Sequence, residues 1–253
     1  MRFTGRTVLV TGSSRGIGRA IAARFASEGA TVIIHGSAMS SNLKAAGIEI
    51  ARLSPKSFTV AHSLDDLAAV DRMFDEIRER TDCLDVLVNN AATQNPSAFT
   101  DLSATDWDHV LAVNLRAPFR CGQLAAQMMR TRRQGKIVNI GSVHEIQAKR
   151  NFVHYTASKA GLLALSKSMA LELAADGIQV NHLTVGAVET DMTPADRCQS
   201  LLSAIPAGRI GQPAEVAALV CFLASTEADY ITGASVTIDG GLTLGFCASR
   251  PDL

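Results

Sequence analysis

The chain has 253 residues, enough for one large α/β domain or two small ones. Hydrophobic residues make up 47% and charged residues 19%, the balance of a globular protein with a substantial core. Lys+Arg and Asp+Glu stand at 24 each, and the zero net charge excludes a general binder of nucleic acid or of an anionic membrane surface.

In chain order, Thr7-Val8-Leu9-Val10 is a continuous apolar run stopped by Gly12, the pattern of a buried parallel strand. Gly16 to Ser27 follows with Ile17, Ala20, Ile21 and Phe25 at helical spacing and Gly29 as terminator. Thr31-Val32-Ile33-Ile34 predicts a second strand, Leu64 to Arg80 a helix, and Leu84 to Val88 a strand ending at Asn89-Asn90. Asp106 to Arg130 then reads as one long helix, Lys136 to Ile140 as a strand, and His154 to Ala175 as a helix. Ile178 to Leu183, Pro213 to Leu223 and Ser235 to Ile238 complete the series as strand, helix and strand.

Such alternation predicts an α/β fold: a single doubly wound domain over residues 1–253, with about seven mainly parallel strands and helices on both faces. No repeat or Pro/Gly/Ser linker divides it. The mixed segment from Gly186 to Gly211 is a candidate substrate lid. Met1 runs straight into Arg2-Phe3-Thr4-Gly5 without a leader pattern, and no stretch reaches the roughly 18 apolar residues of a membrane span. Cys83, Cys121, Cys198, Cys221 and Cys247 form no CxxC. A cytoplasmic protein with reduced thiols and no membrane partner is expected. The six histidines show no ligand spacing, so no catalytic metal is expected.

Thr11-Gly12-Ser13-Ser14-Arg15-Gly16-Ile17-Gly18 joins the first strand to the first helix, the context a dinucleotide site requires. Gly12 permits the tight turn, Gly16 lets the backbone approach a pyrophosphate, and Gly18 allows close helix–sheet packing. The helix N-terminus offers free N–H groups to phosphates. The second strand runs on to Ile34-His35-Gly36-Ser37 with no carboxylate to accept from a ribose 2′-hydroxyl or to repel a 2′-phosphate. Arg15, with Ser14 and Ser37, is placed for that phosphate, so NADP(H) is favoured and NAD(H) is the alternative.

Tyr155-Thr156-Ala157-Ser158-Lys159 opens a predicted helix, where an i, i+4 pair addresses one site. The expectation is that the ammonium lowers the phenol's pKa, so that Tyr155 serves as general acid in reduction and general base in oxidation. A Tyr-x-x-x-Lys pair alone is common on helices, but Ser142 stands thirteen residues upstream at the end of a strand, and Asn114 lies in an earlier helix where asparagine is mildly unfavourable.

The Thr-Gly-x-x-x-Gly-x-Gly turn together with Asn114, Ser142, Tyr155 and Lys159 resembles the short-chain dehydrogenase/reductase family, and the likeness runs from Gly5 to about Gly241. The resemblance implies a hydride transfer between a nicotinamide and a small carbonyl or alcohol. It implies that Ser142 orients the substrate oxygen, that Lys159 also holds the nicotinamide ribose, and that Asn114 supports a proton relay. It further places Asn89 and Ala91 at the adenosine ribose, and Gly186, Val188 and Thr190 at the nicotinamide carboxamide. A homotetramer built on the two long helices is implied as well. Three positions depart from the pattern: Ala92 replaces Gly, Val185 replaces Pro, and His62 stands where an Asp commonly accepts from the adenine amino group.

Val143-His144-Glu145 and Phe152-Val153-His154-Tyr155 resemble bacterial glucose dehydrogenases, which places a sugar or polyol held by His144 and Glu145 slightly ahead. Ile205-Pro206-Ala207-Gly208-Arg209 resembles 3-oxoacyl-carrier-protein reductases, the alternative substrate class. A non-catalytic cofactor sensor or scaffold on the same fold is the alternative of another kind. It would be expected to lose Ser142, Tyr155 or Lys159.

Overall fold

The computed structural model describes residues 1–190 and 202–245. Cys198, Cys247 and positions 191–201 of the candidate lid lie outside the described residues.

Seven strands form one parallel sheet: β1 (Thr7–Val10), β2 (Thr31–Gly36), β3 (Phe58–Ala61), β4 (Val86–Asn89), β5 (Gly135–Ile140), β6 (Ile178–Val185) and β7 (Ser235–Ile238). Their order across the sheet is β3-β2-β1-β4-β5-β6-β7. Every pairing is parallel, from Thr7 beside Thr31 to Val185 beside Ile238. The order reverses between β1 and β4, and the C-terminal ends of those strands open the crevice in which ligands bind in such sheets.

Alternation along the strands separates two apolar layers. Val8, Val10, Val32, Ile34, Val138 and Ile140 face one side, against helices α1 (Gly16–Ser27) and α2 (Ser41–Leu53) and the late helix Pro213–Ala224. Leu9, Ile33, Leu87, Ile137 and Val180 face the other, against α3 (Leu67–Arg80) and the helix Ala117–Arg130. On α1 the buried residues Gly18, Ile21, Ala22, Phe25 and Ala26 recur at helical spacing, and Phe25 meets Phe3 edge to face at 4.7 Å.

The long helix expected over Asp106 to Arg130 is three consecutive pieces. α4 (Ala104–Leu111) runs into a π-helical turn, Ala112–Arg116, and then into α5 (Ala117–Arg130). α4 begins at Ser103, whose side chain accepts from the Asp106 N–H. α6 (Val153–Leu173) and α7 (Pro213–Ala224) follow, the latter opened by a Gln212–Glu215 capping box with Pro213 in its first turn. α2 and β3 are elements that the strand and helix patterns did not mark. Among the described residues no helix is long and apolar enough to cross a membrane.

Candidate active site

A cavity of about 710 Å³ lies over the C-terminal ends of β1, β2, β4, β5 and β6. At one end is the turn between β1 and α1, where Gly12, Ser14, Arg15, Gly16, Ile17 and Gly18 all line the wall. The turn is held from both neighbouring strands. Thr11 Oγ1 accepts from the Asn90 and Ala91 N–H groups at 3.0 and 3.1 Å, while the Asn90 side-chain amide donates to the carbonyls of Thr11 and Gly12. Gly12, at φ +63°, lies so near β4 that a Cβ would stand 2.8 Å from Ala91 Cα. A Cβ on Gly18 would overlap the Gly12 carbonyl. Both glycines are therefore required by close approach.

His35, at the end of β2, completes this frame. Its Nδ1 accepts from the Gly12 N–H at 3.1 Å, and its Nε2 lies 2.9 Å from the His62 carbonyl, so Nε2 is the donor. Burial pushes the imidazole down to about 4, against the opposing hydrogen bond to His62, and the ring is neutral. His35, Gly36 and Ser37 line the cavity without a carboxylate among them.

His62 itself points elsewhere. Its Nε2 pairs with Glu76 at 2.8 Å, and the adjoining cavity wall is built from Ser63, Leu64 and Asp65 instead. Asn89 is likewise buried in the sheet, donating to Asn139 Oδ1 at 2.8 Å, whereas Asn90, Ala91 and Ala92 reach the cavity. Gly186, Val188 and Thr190 border the cavity after β6, with Val185 beside them, and a Cβ on Gly16 would just touch Thr190.

Ser142, Tyr155 and Lys159 meet at the other end of the cavity. Ser142 stands two residues beyond the end of β5 and accepts through Oγ from the His144 N–H at 3.2 Å. Lys159 is buried on α6 and donates to the Ile140 carbonyl at 2.8 Å, with Nζ 5.8 Å from the centre of the Tyr155 ring. Burial pushes its ammonium down to about 8, and the Glu145 carboxylate opposes that fall.

The phenol does not follow the sequence expectation. Burial raises the Tyr155 pKa above its ordinary value, the Ser142 hydroxyl opposes the rise, and the Glu145 charge adds to it. Lys159 Nζ uses one of its protons on the Ile140 carbonyl, and burial is the largest influence on the phenol. The raised pKa favours the protonated phenol.

Asn114 sits outside the cavity wall, fully buried in the π-helical turn. Its amide donates to the Thr93 carbonyl at 2.9 Å and to Ser158 Oγ at 3.1 Å, and its Oδ1 accepts from the Thr93 N–H. Ser158 in turn donates to the Tyr155 carbonyl at 2.7 Å. Asn114 thus ties the Thr93 loop to the first turn of α6. The sequence reading missed His35, Thr93, Gln94, His109, Lys149 and Leu242 as wall residues. Of these, His35 had a legible signal, a lone histidine in an otherwise apolar strand.

A family model described as enoyl-(acyl carrier protein) reductase matches residues 12–243. The 3-oxoacyl-[acyl-carrier-protein] reductase FabG of Aquifex aeolicus is 41% identical over 246 residues, covering 96% of this chain and 99% of that one. Its Escherichia coli counterpart is 39% identical over 245 residues, with the same coverage. A solved structure of a Serratia marcescens short-chain dehydrogenase/reductase double mutant superposes with a TM-score of 0.90 at 34% identity, over 96% of this chain and all of that one. With these matches along nearly its whole length, the chain belongs to the short-chain dehydrogenase/reductase family, oxidoreductases that use a nicotinamide cofactor on CH–OH and C=O groups.

Proposed function

We propose that the protein is an NADPH-dependent carbonyl reductase acting on a 3-oxoacyl thioester. The observation that carries the reading is the placement of Tyr155 with Ser142 and Lys159 in one cavity with the glycine turn. A bound NADPH would supply the hydride. Ser142, its oxygen already accepting from His144, turns its hydroxyl hydrogen to the substrate oxygen. Tyr155 gives that oxygen its proton, and the Lys159 ammonium stabilises the phenolate left behind while holding the ribose hydroxyls. Asn114 positions the Thr93 loop and, through Ser158, the Tyr155 backbone.

The cofactor preference rests on the wall formed by His35, Gly36 and Ser37, which carries no acid against a 2′-phosphate, and on Arg15 and Ser14, which line the same cavity. The thioester reading is favoured over a polyol because Glu145, half of the proposed polyol contact, has a fully buried side chain. One nitrogen of His144 is also engaged by the Gln147 carbonyl at 3.2 Å. The names of the two FabG relatives support the same choice. We also infer a homotetramer through α5 and α6, which leave Phe119 and Leu171 exposed. Light scattering should return four times the 26.7 kDa chain mass, and a monomeric mass would overturn this.

The test is a fluorescence titration with NADPH and NADH at equal salt, followed by reduction assays on a short 3-oxoacyl thioester and on sugar ketones. Tighter NADPH binding and thioester turnover are expected. Preference for NADH would return Arg15 to a surface role, and turnover of sugars alone would replace the substrate class.

A further inference from the structure

Glu145 lies three residues beyond Ser142, at the end of the 3-10 turn Val143–Glu145, with its side chain fully buried. Its carboxylate gathers four hydrogen bonds. The Ser142 N–H donates to Oε2 at 3.0 Å, the Thr184 hydroxyl donates to Oε1, and His182 Nε2 lies 3.0 and 2.9 Å from the two oxygens. Thr184 and His182 come from β6, so the contact ties the loop after β5 to the neighbouring strand. Behind it, His182 Nδ1 lies 3.2 Å from Ser166 Oγ, which accepts from Asn139 at 2.8 Å and donates to the Leu162 carbonyl at 2.6 Å.

The pair presses on the backbone that carries Ser142. A Cβ on Gly141 would overlap His182 Nε2 and Glu145 Oε2. Gly141 N–H donates to the Leu183 carbonyl at 2.7 Å, so the peptide before Gly141 is pinned by β6 and the peptide after it by the carboxylate. Burying a carboxylate is costly, and apolar residues of equal volume stabilise a purely structural core at least as well. A carboxylate kept there, one peptide from the reaction centre, points to a task in the reaction.

We propose that Glu145, held by His182 and Thr184, is a positioning residue for the reaction: it fixes the Ser142 backbone so that the hydroxyl meets the substrate oxygen, and it sets a negative charge beside Tyr155 and Lys159. This rests on the assignment of Ser142 and Tyr155 as catalytic residues. The charge acts in the useful direction on both neighbours, favouring a protonated phenol and a charged ammonium. His144 is a further titratable group near the phenol, with ring centroids 6.3 Å apart, and Lys149 lines the same cavity.

The experiment compares wild type, Tyr155→Phe, Glu145→Gln and Glu145→Ala for carbonyl reduction, NADPH affinity, thermal midpoint and the pH profile of kcat. An active wild type with a silent Tyr155→Phe secures the catalytic assignment, and a wild type that reduces no carbonyl overturns that assignment and this proposal with it. In an active enzyme, Glu145→Ala is expected to lower kcat about 30-fold or more while NADPH affinity stays within about threefold. Glu145→Gln, still able to accept from the Ser142 N–H, should recover most of the loss and move the alkaline fall of kcat to lower pH. Turnover of Glu145→Ala equal to wild type would overturn the proposal alone. So would a joint collapse of kcat, affinity and thermal midpoint that glutamine does not rescue. Should the alanine variant fail to fold, an unmoved alkaline limb in Glu145→Gln overturns it.

Discussion

The Gly12 N–H donates to Nδ1 of His35 at 3.1 Å, so the glycine turn after β1 is held by a neutral imidazole at the end of β2. That ring has a pKa pushed down to about 4 by burial, from an ordinary value of 6.5. Above pH 6.5 neither the folded nor the unfolded chain protonates it. As pH falls from 6.5 towards 4 the unfolded chain takes the proton first, and stability declines until the folded pKa is passed. Acidification from pH 7 to 5 is expected to remove about 2 kcal/mol through this residue alone. Urea unfolding of wild type and His35→Asn at both pH values measures it, and parallel losses in the two proteins would contradict the assignment.

Lys159 has an ammonium pushed down to about 8. Its charge is present below that pH and lost as pH rises through it. NADPH affinity is therefore expected to weaken by about threefold or more between pH 7 and 9.5. Lys159→Met should bind more weakly at pH 7 and show a flatter dependence. A wild type with one dissociation constant across this range would count against the ribose contact.

Gly141→Ala inserts a methyl group into the Glu145–His182 contact. The expected cost is about 2 kcal/mol of stability. Because the displaced groups support Ser142, kcat should fall further than NADPH affinity. Equal losses in both, read from steady-state kinetics and titration, would show the change spreading through the fold instead.

Asp85 anchors the opposite end of the sheet. It accepts from Arg6 at 2.8 Å, Arg132 at 3.2 Å and the Thr7 N–H at 2.8 Å, with only 3% of its side chain exposed. Asp85→Ala leaves the buried Thr7 N–H without its acceptor and frees two partly exposed arginines, and is expected to cost about 2 kcal/mol. This cluster lies at the N-terminal ends of β1 and β4, away from the cavity, so kcat of the folded variant should match wild type. Chemical denaturation and kinetics at low temperature separate the two effects.

Six strands, the glycine turn and the cluster of Ser142, Tyr155 and Lys159 were legible because apolar runs, glycine spacing and i, i+4 placement are local properties. β3 escaped as a short edge strand in which only Val60 is fully buried. α2 carries Gly47 and no acid in its first turn, although Leu43, Ala46 and Ile50 at helical spacing mark its buried face. The π-helical turn at Ala112–Arg116 has no local signature, and it divides what the apolar periodicity reads as one helix. Glu145 meeting His182 across 37 positions, and the rise that burial imposes on the Tyr155 pKa, depend on tertiary packing that no sequence window contains.

The adjacency of β1 and β4 has a consequence for how the protein is made. Thr11 receives its partners from Asn90 and Ala91, which emerge from synthesis some eighty residues later. An early folding unit of β1, β2 and β3 would have the glycine turn without its lower support. Nucleotide affinity should therefore appear only after this distant pairing closes, a slow class of event in chain folding. In a refolding time course the fluorescence of bound cofactor would rise later than the helical circular dichroism, and it would report completion of the sheet rather than initial collapse.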